Sequence, residues 1–141
     1  MGNDTQKTLP DIEKKIVLNA PIMKVWHAVA TSEGIAAWFM PNNFKPESGF
    51  KFQLDAGPFG MSDCEVTELD PPNRLSFQWG EEWTVTFKLT EMEGKTEFTL
   101  IHSGWVEGMV TPFGETHNIV RDRMSHGWGG LVEKLGAYVE V

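Results

Sequence analysis

Residues 75–89 read Leu-Ser-Phe-Gln-Trp-Gly-Glu-Glu-Trp-Thr-Val-Thr-Phe-Lys-Leu. Leu75, Phe77 and Trp79 alternate with Ser76 and Gln78. After Gly80-Glu81-Glu82, Trp83, Val85, Phe87 and Leu89 alternate with Thr84, Thr86 and Lys88. Period-2 alternation either side of a short glycine-containing connection is the mark of two antiparallel strands with one apolar face. The pattern extends outward. Upstream, Phe50, Phe52 and Leu54 form one run and Cys64 and Val66 another. Downstream, Phe98 and Leu100 continue it beyond the turn at Glu93-Gly94. Asp70-Pro71-Pro72-Asn73 is a further turn.

This strand block is flanked by helices. Glu13 to Asn19, with Ile16, Val17 and Leu18, reads as a first strand. Pro21 suits the first turn of a helix. Ile22, Val25, Trp26 and Val29 follow at i, i+3, i+4 and i+7. Thr31 and Ser32 are candidate caps for a second short helix through Trp38 and Phe39, ended by Pro41. Near the C-terminus, Met124, Trp128, Leu131, Leu135 and Tyr138 recur at spacings of 4, 3, 4 and 3 and predict a long amphipathic helix. It retains Gly127, Gly129, Gly130 and Gly136. Each costs up to about 1 kcal/mol against Ala, so the glycines imply either a close approach to a neighbour or a weak helix. The fold class expected is α+β. A curved six-stranded antiparallel sheet wraps a long C-terminal helix, with two short helices after the first strand. Residues 1–11 form a polar tail, and 12–141 a single domain.

The totals restrict function. Lys and Arg number 12 against 20 Asp and Glu, a net charge of −8. Such a surface repels a phosphate backbone, so no nucleic-acid partner is expected. Met1 to Leu9 has no apolar stretch of a signal peptide, and no run reaches the ~18 apolar residues of a membrane span. A cytoplasmic protein without membrane insertion is expected. Cys64, the single cysteine, falls by parity on the inward face and reads as a small hydrophobe. His27, His102, His117 and His126 show no metal-ligand spacing, and no cofactor is expected. His102 shares the inward face with Phe98 and Leu100. It is either a satisfied core histidine or a group that orients a ligand. Arg121-Asp122-Arg123 is either a solvated cluster or a guard at a cavity mouth. No catalytic constellation is present, and the reading leans away from an enzyme.

The composition is heavy in aromatics, with nine Phe and six Trp. By parity Phe52, Leu54, Cys64, Phe77, Trp79, Trp83, Val85, Phe87 and His102 face inward, toward Met124, Trp128 and Leu131 of the last helix. Trp38 lies where a mouth is expected. These thirteen residues are the candidate ligand-binding set. They describe either a filled core or a hollow lined by aromatics and Met; periodicity does not choose between them. Trp105 is assigned no place.

Five short motifs carry a resemblance. Asn19-Ala20-Pro21 precedes Val25-Trp26, and Trp38-Phe39 closes the second helix. Asp70-Pro71-Pro72-Asn73-Arg74-Leu75 is a turn. Thr99-Leu100-Ile101-His102-Ser103-Gly104 ends a strand. Gly127-Trp128 is followed by Leu131 and Leu135. In this order, over about residues 12–139, the chain resembles the activator-of-Hsp90-ATPase-homologue (AHSA1-like) branch of the START/Bet v 1-like (SRPBCC) helix-grip superfamily. The resemblance implies a hydrophobic cavity under the C-terminal helix that binds a small aromatic or lipid-like molecule. It implies as an alternative a stress-response role, in which the partner is a chaperone whose ATPase is modulated by contact. A cyclase- or hydrolase-type enzyme is a third reading; among the inward residues only His102 offers it a polar group.

Overall fold

The computed structural model describes residues 8–111 and 114–140. Strand β1 (Ile12–Leu18) leads through Pro21, the N-cap of helix α1 (Ile22–Val29), to helix α2 (Ser32–Trp38). Thr31 caps α2, its Oγ1 accepting the Gly34 backbone N–H at 2.9 Å. Five strands follow: β2 (Lys51–Asp55), β3 (Met61–Asp70), β4 (Arg74–Trp79), β5 (Trp83–Met92) and β6 (Lys95–Ser103). Helix α3 (His117–Val139) closes the chain. All six strands form one antiparallel sheet in the order β1-β6-β5-β4-β3-β2. A register shift between Val66 and Glu68 interrupts the β3–β4 ladder, and such bulges bend a sheet. The expected helix-grip architecture is therefore present, with β1 at Ile12–Leu18 displaced by one residue from the expected Glu13 to Asn19.

Three local expectations need correction. First, the polar face of the strands is not uniformly wet. Ser76 and Thr86 are buried on it and share a hydrogen bond of 2.8 Å, because central strands are shielded by their neighbours. Second, the stripe of α3 is rotated. Val120, Trp128, Val132, Leu135 and Val139 are buried, whereas Met124, Leu131 and Tyr138 are only partly so. Third, of the four glycines of α3 only Gly136 has a neighbour where a Cβ would stand. A Cβ on Gly136 would lie 3.6 Å from Leu18 Cδ2, an ordinary contact, while one on Gly127, Gly129 or Gly130 would meet nothing within 4 Å.

The segment expected to be a tail is attached where it is described. Leu9 N–H donates to Trp105 O at 2.9 Å, and Arg121 Nε–H to Pro10 O at 2.6 Å. Trp105 also gains its place here. It is 1 % exposed, and its indole N–H donates to His102 O at 3.0 Å.

The interior between sheet and helices has two parts. Under α2 it is filled. Phe52 packs on Phe44 and Phe77, Phe77 on Phe87, and Phe87 on both Phe98 and Trp38, with ring centroids 5.2–6.0 Å apart. Edge and tilted contacts at these distances are favourable for aromatic rings. Under the first half of α3 the interior opens into a cleft.

Candidate functional site

The β4–β5 turn builds the floor of this cleft. Trp79 and Trp83 pair directly across it, with centroids 5.6 Å apart and rings at 77°. Gly80 permits the turn at φ +66°. Trp128 and Leu131 come from α3, with Val120, Met124 and Gly127 along the same flank. Phe39 and Met40, just past α2, form the opposite wall. Phe39 stacks on Trp128 at 5.0 Å and meets Trp79 edge-on at 5.8 Å. The volume is about 450 Å³, within the roughly 300–1,000 Å³ of small-molecule sites.

Polar groups stand at the rim: Asp55, Ser62, Glu115 and Arg123. Arg123 grips Glu115 with two hydrogen bonds of 2.8 Å. The guanidinium holds the Glu115 carboxyl below its usual range, and the carboxylate raises Arg123 in turn. Arg121 instead holds Pro10 and Asp11. Of the cluster Arg121-Asp122-Arg123, Arg123 is the member that lines the cleft.

Behind the floor lies a histidine pair. His102 is fully buried and stacked on Trp79 at 5.7 Å. Its Nδ1 accepts the Trp128 Nε1–H at 2.9 Å. Loss of solvation lowers its pKa to about 3, assisted by repulsion from His117, so the ring is neutral at pH 7. His117, the first residue of α3, is also fully buried. Its Nδ1 accepts the Val106 N–H at 3.0 Å, and its Nε2 therefore carries the proton and donates to Glu82 Oε2 at 3.0 Å. Both nitrogens of His117 are occupied, so it anchors the start of α3 and leaves no free base.

Of the thirteen sequence candidates, the structure brings Trp79, Trp83, Met124, Trp128 and Leu131 together around the cleft. Phe52, Phe77, Phe87 and Trp38 belong to the filled aromatic chain, and Leu54 and Val85 are buried without lining the cleft. Trp38 does not stand at a mouth. It is 0 % exposed and donates its N–H to Ala28 O at 2.9 Å. His102 lies one layer behind the wall. Cys64, with Phe52, instead backs a depression on the outer face of β2–β4, where Lys51, Asp63, Glu65 and Glu81 make the lining charged. Burial, then the charge of Asp63, push its thiol up to about 12, which removes it as a nucleophile. Periodicity overlooked Phe39, Met40 and His117. The first two lie past a helix end, where no period applies. His117 is recognisable only through its spatial neighbours.

Groups of three or more His, Cys, Asp or Glu able to hold a metal do not occur among the described residues. No helix among them is long and apolar enough to cross a membrane.

Comparisons with known proteins agree with this architecture. Protein BH1534 of Bacillus halodurans superposes with a TM-score of 0.86 at 48% identity, over 94% of this chain and 99% of that one. Protein MLL2253 of Mesorhizobium loti gives 0.79 at 27% identity, over 92% and 96%. The Aha1 dimer of Colwellia psychrerythraea gives 0.73 at 20% identity, over 94% and 98%, a likeness of fold alone. No curated protein matches the sequence. The family described as "Activator of Hsp90 ATPase homolog 1-like protein" matches residues 19–140. This match spans nearly all of the helix-grip domain, and the chain belongs to that family.

Proposed function

We propose that this protein binds a small hydrophobic molecule, aromatic or lipid-like, in the cleft beneath α3. One observation carries the reading: the interior is filled under α2 but open under α3, and the open part is walled by Phe39, Met40, Trp79, Trp83, Met124, Trp128 and Leu131. Burying apolar surface there contributes roughly 25 cal/mol per Å². Stacking on a flat indole adds about 0.5–1.5 kcal/mol per good pair. Part of this offsets the lost freedom of the ligand. Rigid rings supply three walls without losing much entropy on binding. Met40 and Met124 are unbranched and adapt to the shape of the occupant. The charged groups are confined to the rim, so the buried part of the ligand is uncharged.

Tryptophan fluorescence tests this reading, because three indoles line the cleft. Titration with fused-ring aromatics, a flat polyphenol and medium-chain fatty acids should give a saturable change for at least one class. Chemical shifts should move at Trp79, Trp83, Trp128 and Leu131. No saturable change together with unmoved shifts overturns the proposal.

A further inference from the structure

The mouth of the cleft carries three charged side chains, Asp55, Glu115 and Arg123. Arg123 is the one cation among the described residues that line it, and it is already engaged. Its Nη1 and Nη2 each donate at 2.8 Å to a different oxygen of Glu115, the planar two-bond fit of guanidinium and carboxylate. The backbone holds Glu115 in place for this contact. Its C=O accepts the Thr111 N–H at 2.7 Å, and Thr116 beside it bridges to Val110. The other carboxylate, Asp55, ends β2. Its Oδ1 accepts the Gly57 N–H at 2.9 Å, and no cation pairs with it among the described residues.

These contacts decide what an amphipathic ligand can bring to the mouth. The aromatic walls accept an apolar body whatever its head group, so discrimination between head groups falls to the rim. An incoming carboxylate finds both terminal nitrogens of Arg123 taken. To reach them it must displace Glu115, which exchanges one carboxylate for another and leaves the displaced one close by. Like charges at short range repel, and a partly exposed ion pair is worth little, so the exchange gains nothing. An uncharged head meets no such conflict. A cationic head is attracted by the excess of two carboxylates over one guanidinium, and the net charge of −8 acts in the same direction.

We infer that Glu115 sets the charge class of the ligand: by occupying Arg123 it closes the cleft to anionic head groups and leaves a mouth that favours a cationic one. The inference rests on the ligand-binding reading above and specifies the ligand as an amphiphile with an apolar body and a positively charged outer end. Arg123 is then no receptor for a carboxylate; it is the partner that fixes Glu115 at the rim.

Three probes with one naphthalene body separate the possibilities: 2-naphthylacetate, 2-naphthylacetamide and (2-naphthylmethyl)trimethylammonium. Their affinities are measured by titration calorimetry on the wild-type chain, on Glu115→Gln and on Glu91→Gln. Glu91 is exposed at the end of β5 remote from Trp83, so its substitution removes the same charge away from the cleft. The wild-type chain should bind the acetate more weakly than the amide. In Glu115→Gln the acetate-to-amide ratio should rise about fivefold, as Arg123 is freed and a repelling charge removed, and the ammonium-to-amide ratio should fall. Both ratios should keep their wild-type values in Glu91→Gln. A gain in acetate binding is not what a poorly folded variant gives. Unchanged ratios in Glu115→Gln overturn the inference. So does a wild-type chain that prefers the acetate to the amide, or an equal shift in Glu91→Gln, which would assign the effect to overall charge. Each of these results leaves the binding reading intact, because the probes still bind. If none of the three, nor any member of the wider panel, binds, the binding reading falls and this inference with it.

Discussion

The Trp128 indole N–H donates to Nδ1 of His102 at 2.9 Å, tying the covering helix to the last strand of the sheet. Both residues are almost fully buried, at 1 % and 0 % exposure. The bond therefore sets the tautomer of His102 and the height of α3 over the sheet together. Trp128→Phe removes the donor and leaves Nδ1 buried without one. Stability should fall by about 1–3 kcal/mol from the unpaired acceptor, read as a lower urea midpoint with an unchanged slope.

The same histidine makes stability depend on pH. Its folded pKa, about 3, lies below the ordinary 6.5 because burial penalises the charged ring. Between these values the unfolded chain binds the proton and the folded chain does not. Stability is then complete above pH 6.5 and is lost as pH falls toward 3, at up to about 1.4 kcal/mol per unit. From pH 7 to pH 5 this amounts to about 2 kcal/mol. His102→Gln should flatten that part of the urea-derived profile.

Gly129 and Gly130 are helical positions with open space where a Cβ would stand. Gly129→Ala and Gly130→Ala should each stabilise the chain by about 0.5–1 kcal/mol, through helix propensity and a less flexible unfolded state. Gly34→Ala should do the reverse. Its Cβ would meet the Ala28 Cα at 2.6 Å, and α1 and α2 would have to part. Thermal melts of the three variants give opposite signs if the packing is as described.

Gly127 lines the cleft and also has free space at its Cβ. Gly127→Leu should place an isobutyl group in the mouth while improving the helix. Ligand affinity should drop at least tenfold with a melting temperature equal to or above that of the parent chain. A fall in both would mean that the position matters for packing and not for access.

Much of the architecture was legible beforehand, because strand parity and helical spacing are local. The alternation from Leu75 to Leu89 named the pair Trp79 and Trp83, and the 4-3-4-3 spacing named Trp128 and Leu131. What escaped lies where no period operates. Phe39 and Met40 follow the end of α2, and Trp105 follows the last strand. His117 opens a helix whose apolar pattern starts later. The glycines of α3 misled for another reason: a missing side chain is equally consistent with contact and with empty space.

The sequence by itself determined the sheet, the covering helix and the inward face, since each depends on spacing along one element. Only the tertiary structure decided which part of that face is filled and which is open. Trp38, on α2, drives its ring against Phe87 and Phe98 and fills one side. Toward its C-terminal end, α3 lies against β1, Gly136 beside Leu18. Over the β4–β5 turn, Trp128 meets His102 through a hydrogen bond, and the flank carrying Met124, Gly127 and Leu131 borders open space. A residue's parity says which way it points, but the volume it meets there is set by the distance between elements that are far apart in the chain.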